Sequence, residues 1–96
     1  MIREVRYQRV IWHHDFADEP TVLWSEITND GLERRKVDEY RDGRLHYADE
    51  HGGSGSTLLG DQPIPPIDEI DREDEFTAAA VSRADFESIW SRATQR

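Results

Sequence analysis

Residues 12–20 read WHHDFADEP, a tryptophan and two adjacent histidines followed by a short acidic run that ends in proline. Imidazole and carboxylate together are the donor set of a zinc or iron site and also the parts of an acid/base pair, so His13, His14, Asp15 and Glu26 form one candidate ligand or acid/base site. Geometry restrains that reading. Neighbouring residues on a regular strand point to opposite faces, so His13 and His14 cannot both reach one ion without a local kink. The spacing also lacks the two-histidine helical pattern of metalloproteases. Within Trp24-Ser25-Glu26, Ser25 has no glycine-flanked elbow to raise it as a nucleophile, and a strand hydroxyl is expected to face solvent or bond locally.

Two charged runs invite a binding role instead. Arg34, Arg35 and Lys36 fall on a strand and divide between its faces, where pairing with cross-strand acids such as Glu26 accounts for them. Asp68, Glu69, Asp71, Glu73, Asp74 and Glu75 place six acids within eight residues. The run lacks the central glycine and ligand spacing of an EF-hand loop; it reads first as a solvated charged segment and, as the functional alternative, as a docking strip for a basic partner, whose approach it would steer. No metal and no cofactor is expected.

The elements that must carry these residues follow from pattern and punctuation. Residues 2–14, rich in β-branched and aromatic types, predict a first strand. TVLWSEIT, residues 21–28, predicts a second, and Asn29-Asp30-Gly31 a hairpin connection with glycine at the left-handed position. A third strand is expected from Leu32 to about Arg41, and Asp42-Gly43 leads into a fourth, RLHYA. Val37 and Tyr40 fall on opposite faces of a regular third strand, which calls for a bulge or a sheet covered on both sides. Residues 49–61 hold four of the six glycines and predict a mobile loop. A short helix or turn is expected near residues 66–72 after Pro66, with Ile67 and Ile70 inward.

The clearest periodicity lies at the C-terminus, where Phe86, Ile89, Trp90 and Ala93 recur at i, i+3, i+4 and i+7 behind Ser82 as N-cap. The expected fold is α+β: a four-stranded antiparallel meander packed against a C-terminal α-helix. One domain spans 1–96, divided into a sheet over 1–48, a Gly/Pro-rich loop over 49–66 and two helices over 67–96. Trp90→Ala is expected to unfold it or nearly so.

Composition excludes whole classes. The 96 residues suffice for a single modest core. There is no cysteine, which removes thiolate chemistry and disulfides and suits a reducing compartment. The formal charge is −9, and residues 49–96 carry four Lys/Arg against eleven Asp/Glu. Such a chain is repelled by nucleic acid and by anionic lipid. With no apolar run long enough to span a bilayer and no signal-like N-terminus, a cytoplasmic location is expected.

The chain also resembles a family of small bacterial proteins treated as a domain of unknown function. The resemblance rests on Trp12-His13-His14-Asp15-Phe16 with Asp18-Glu19-Pro20, on Trp24-Ser25-Glu26, Lys36-Val37-Asp38 and Asp42-Gly43-Arg44 with Tyr47-Ala48, and on Ile67, Glu69-Ile70, Glu75-Phe76 and Phe86-Glu87 with Trp90. It covers nearly the whole chain and implies no particular reaction or cofactor. By analogy of type, some small acidic proteins of this kind act as immunity or accessory factors to toxins. The functional expectation is therefore a non-enzymatic protein-binding module for a basic partner, and the alternative is a small enzyme or metal-dependent binding protein using the histidine cluster.

Overall fold

In the computed structural model, which describes residues 5–95, extended segments with valine, isoleucine and aromatic side chains pair in antiparallel ladders. The elements in chain order are β1 (Val5–Trp12), β2 (Val22–Thr28), β3 (Glu33–Glu39), β4 (Leu45–Asp49), β5 (Gly52–Gly53), α1 (Ile67–Asp71), β6 (Phe76–Ala80) and α2 (Arg83–Thr94). The expected first strand began at residue 2; its first three positions lie outside the described residues. The sheet order is β5-β4-β3-β2-β1-β6.

The sheet thus has six strands, not four. The second addition matters most. β6 reads FTAAA, with little β-branching and no alternation, and it becomes a strand because β1 offers it an open ladder, with Gln8 to Trp12 paired against Ala80 to Phe76. The segment 67–96, expected to be helical apart from its connections, therefore contains the strand that completes one sheet edge. That edge is blunted by Asp71, whose Oδ1 accepts from the outward Ala78 N–H at 2.9 Å.

Gly31 connects β2 to β3 at φ 87°, as the hairpin reading expected, and the left-handed geometry is why glycine is required there. Val37 and Tyr40 do face opposite ways, because the sheet is covered on both sides; the third strand also carries a bulge, but before both residues. Glu26 pairs with Arg35 but Ile27 pairs with Glu33, so Arg34 is an extra residue in a bulge. In consequence Arg35 and Glu33 point to opposite faces although they are two residues apart.

Both faces are covered. On one face Val37, Phe86 and Ile89 form a buried cluster, with Tyr7, Trp24, Leu45, Tyr47, Trp90 and Ala93 packed around it. Ser82 caps α2 as expected, its Oγ accepting from Asp85 N at 3.0 Å. The other face carries Val10, Ile27 and Ala48 together with buried Gln8, Ser25 and Asp38. There α1 packs on β6, with Ile67 and Ile70 only half-buried.

The glycine-rich stretch, expected to be mobile, is tied down across that second face. Ser54 N bonds the Tyr47 carbonyl at 2.8 Å, Thr57 Oγ1 donates to Asp38 Oδ2 at 2.8 Å, and Gly60 N donates to Glu33 Oε1 at 2.8 Å. A Cβ at Gly53 would collide with the Tyr47 carbonyl oxygen, so glycine here permits the close approach of β5 to β4. Among the described residues, no helix is long and apolar enough to cross a membrane.

One buried acid in this face is costly. Burial pushes the Asp38 carboxyl above its ordinary 3.8, against the attraction of Lys36 and the Thr57 bond, and its Oδ1 has no partner. An acid with a raised folded pKa binds its proton more readily folded than unfolded, so its contribution is favourable below pH 3.8 and is lost as pH rises through the folded value. Asp38→Asn is accordingly expected to stabilise the chain by about 1 kcal/mol at pH 7, read as a higher urea midpoint. A lower midpoint would show that the carboxylate is favourable where it stands.

Candidate functional site

The two histidines lie just beyond β1 and do diverge. His13 Nε2 meets Thr77 Oγ1 at 2.7 Å on an exposed edge. His14 is held from both sides: its Nδ1 accepts from Phe16 N at 2.9 Å, and its Nε2 lies 2.8 Å from the Pro20 carbonyl oxygen. A backbone N–H can only donate and a carbonyl can only accept, so the geometry selects the neutral tautomer with the proton on Nε2. Both ring nitrogens are then occupied in holding a loop. The Phe16 N–H is thereby satisfied within the loop by an imidazole and not by the neighbouring Asp15 or Asp18.

Glu26 is not brought to this cluster. It lies on β2 opposite Tyr7, six residues along β1 from His13, a separation of about 20 Å at strand spacing. Among the described residues, no three of the His, Asp and Glu side chains are grouped to hold a metal ion. Ser25 is buried and donates to Glu33 Oε2 at 2.9 Å, where the expectation left room for a solvent-facing hydroxyl.

Glu26 instead belongs to an ion network under α2. Arg35 donates to both oxygens of Glu26 at 2.7 Å and to both oxygens of Glu87 at 2.9 and 2.7 Å. Its guanidinium also lies 5.0 Å from the Phe86 ring centre and 5.1 Å from that of Trp90. Burial alone would push the Glu26 carboxyl up, but hydrogen bonds from Arg35 and Tyr7 outweigh it and hold the group below its ordinary value. The Arg35 hydrogen bonds likewise hold Glu87 low, and the two carboxylates hold the guanidinium charged. Cross-strand pairing of Arg35 with Glu26 was legible in sequence; its burial and the third member, Glu87, were not. Arg34 stays exposed, 4.0 Å from Glu26, and Lys36 lies 3.9 Å from Glu33.

The acidic run forms α1 and the turn into β6, and all six acids are exposed. They are not equivalent. Asp71 anchors β6, and Asp68 lies 3.6 Å from Arg72, which leaves Glu69, Glu73, Asp74 and Glu75 without an ion pair among the described residues. The strip ends at the histidine loop, because His13 N donates to the Glu75 carbonyl at 2.7 Å. Beside it, Trp12, His14 and Phe16 form a three-ring cluster, with His14 stacked on Phe16 at 5.2 Å and Trp12 tilted against both, its ring centre 4.1 Å from His14 and 6.2 Å from Phe16. Phe16 remains 62% exposed. It projects from the end of β1 and does not anchor it.

A family model described as a domain of unknown function, DUF6881, matches residues 6–95. The chain belongs to this family. No curated protein and no solved structure matches it. Within this DUF6881 chain, the residues that sequence reasoning passed over are Arg9, Trp24 and Arg92. Only pairing across β1 and β2, with α2 laid against them, brings these three to one groove.

Proposed function

We propose that this DUF6881 chain is a non-enzymatic protein-binding module, an immunity or accessory factor that recognises a basic partner through the acidic strip of α1 and the aromatic loop beside it. The observation that carries the reading is Phe16, an apolar ring that is 62% exposed yet held in place. Its backbone is fixed by His14, and His14 in turn by Pro20 and by Arg41, whose Nη2 donates to the His14 carbonyl at 2.7 Å. A preorganised aromatic group loses little entropy on binding and suits the centre of an interface. The unpaired acids Glu69, Glu73, Asp74 and Glu75 would steer a cationic partner towards it.

The reading is tested with tagged full-length chain and host extract at low salt. Wild type is expected to retain a protein of basic isoelectric point that elutes as salt rises. Phe16→Ser, and a variant carrying Glu69→Gln, Glu73→Gln, Asp74→Asn and Glu75→Gln, should each reduce retention about tenfold or more, since an interface anchor contributes about 2 kcal/mol. Retention that is unchanged in both variants, or no specific retention by wild type, overturns it.

A further inference from the structure

The α2 helix leaves one part of its sheet face open. There a groove of about 600 Å3 is bounded by Arg9 and Ile11 of β1, Val22 and Trp24 of β2, and Ile89 and Arg92 of α2, a volume in the range of small-molecule sites. Its lining carries two arginines and two carboxylates. Glu39 at the rim accepts from Trp24 Nε1 at 3.1 Å, and Asp85 stands in the first turn of α2, where the helix dipole favours a carboxylate. Neither arginine has an ion pair among the described residues.

Arg9 is the sharper case. Among the described residues its Nε is buried with no hydrogen-bond acceptor, and its guanidinium lies over the face of the Trp24 ring, 5.6 Å from the ring centre. A buried donor on a permanently charged group is costly to leave unmade. A planar guanidinium with free donors matches a carboxylate in geometry as well as charge. Ile11, Val22 and Ile89 supply an apolar wall beside it.

We infer that this groove binds a small organic carboxylate, its anionic end on Arg9 and Arg92 and its apolar body against Ile11, Val22 and Ile89. The site lies on the α2 face, away from α1 and its acidic strip, so it stands or falls independently of the partner-binding surface. Occupancy would also reach Trp24, whose indole N–H is already engaged with Glu39.

The experiment is an NMR titration of the full-length chain with phenylacetate, phenylacetamide and acetate, following the Arg9 Nε–H and Trp24 Nε1–H resonances. Phenylacetate is expected to give saturable shifts at both. Phenylacetamide, which lacks the charge, and acetate, which lacks the apolar body, should bind about tenfold or more weakly, the loss expected for one charge-assisted hydrogen bond or one apolar group. Arg92→Gln, on an exposed helix position, and Arg9→Gln should each weaken phenylacetate by a similar factor, with amide dispersion certifying the fold. Equal binding of the amide, unchanged affinity in both variants, or no saturable shift up to about 10 mM overturns the inference.

Discussion

Arg35→Met should cost about 3–5 kcal/mol of folding stability, the largest loss expected of any single charged residue here. The reason is what it would leave behind. The Glu26 side chain is 4% exposed, and Arg35 supplies two short hydrogen bonds to it as well as the nearest opposite charge. Methionine preserves the alkyl packing over Phe86 and Trp90, so the loss isolates the stranded carboxylate from the lost volume. Urea denaturation at pH 7 measures it. Adding Glu26→Gln to Arg35→Met should recover a large part, because a neutral amide tolerates burial better than an unpaired anion. A loss under about 1 kcal/mol for Arg35→Met alone would mean that the network is a surface ion pair in its energetics.

The same network sets the acid limb of stability. Glu26 and Glu87 are held below the ordinary 4.5 in the folded chain, so their contribution is complete above that pH and is lost as pH falls through their folded values. Asp38 acts in the opposite direction and softens the same limb. In Arg35→Met the Arg35 bonds to Glu26 are gone and only the Tyr7 bond is left against the larger effect of burial, so its carboxyl should titrate above the ordinary range. Stability of that variant should then rise as pH is lowered from 7 towards 5, where wild type stays level with respect to Glu26.

Phe86→Ala should cost about 3–5 kcal/mol and exceed Trp90→Ala. Phe86 is fully buried between α2 and the sheet, with Tyr7 at 5.4 Å and the Arg35 guanidinium against its ring. Trp90 is half-buried, at the side of the cluster against Tyr47, and part of its surface already meets water. The sequence by itself predicts that Trp90→Ala unfolds the chain or nearly so. Parallel thermal and urea melts decide the order; a larger loss for Trp90→Ala would place the centre of the core there instead. Against a typical domain stability of about 5–15 kcal/mol, the Phe86 loss would leave this small chain near its threshold.

Local signals carried a good part of the fold. The α2 periodicity, the Ser82 cap, the Gly31 hairpin and the first four strands all depend on interactions between near neighbours, and each was legible in residue type and spacing. The conflict between Val37 and Tyr40 marked a sheet covered on both faces, whereas the bulge at Arg34 lies before both residues and left no such signal. Strand alternation also predicted that His13 and His14 would diverge, as they do. β6 was invisible because FTAAA has no strong preference, and its state comes from β1, some 64 to 72 residues earlier in the chain.

The candidate site divides in the same way. Residue types and periodicity by themselves established the α+β class, the capped C-terminal helix, the acidity of the second half and the exposed run of Asp68 to Glu75, since these need only local chemistry. The partners of each charged group were decided by tertiary structure: Glu26 with Arg35 and Glu87, His14 with its own loop, and Arg9 left without an acceptor beside Trp24. The physical reason is range. A side chain's propensity is set by its own backbone, whereas hydrogen bonds and ion pairs act over a few ångströms between segments that only the packed sheet and helix bring within reach.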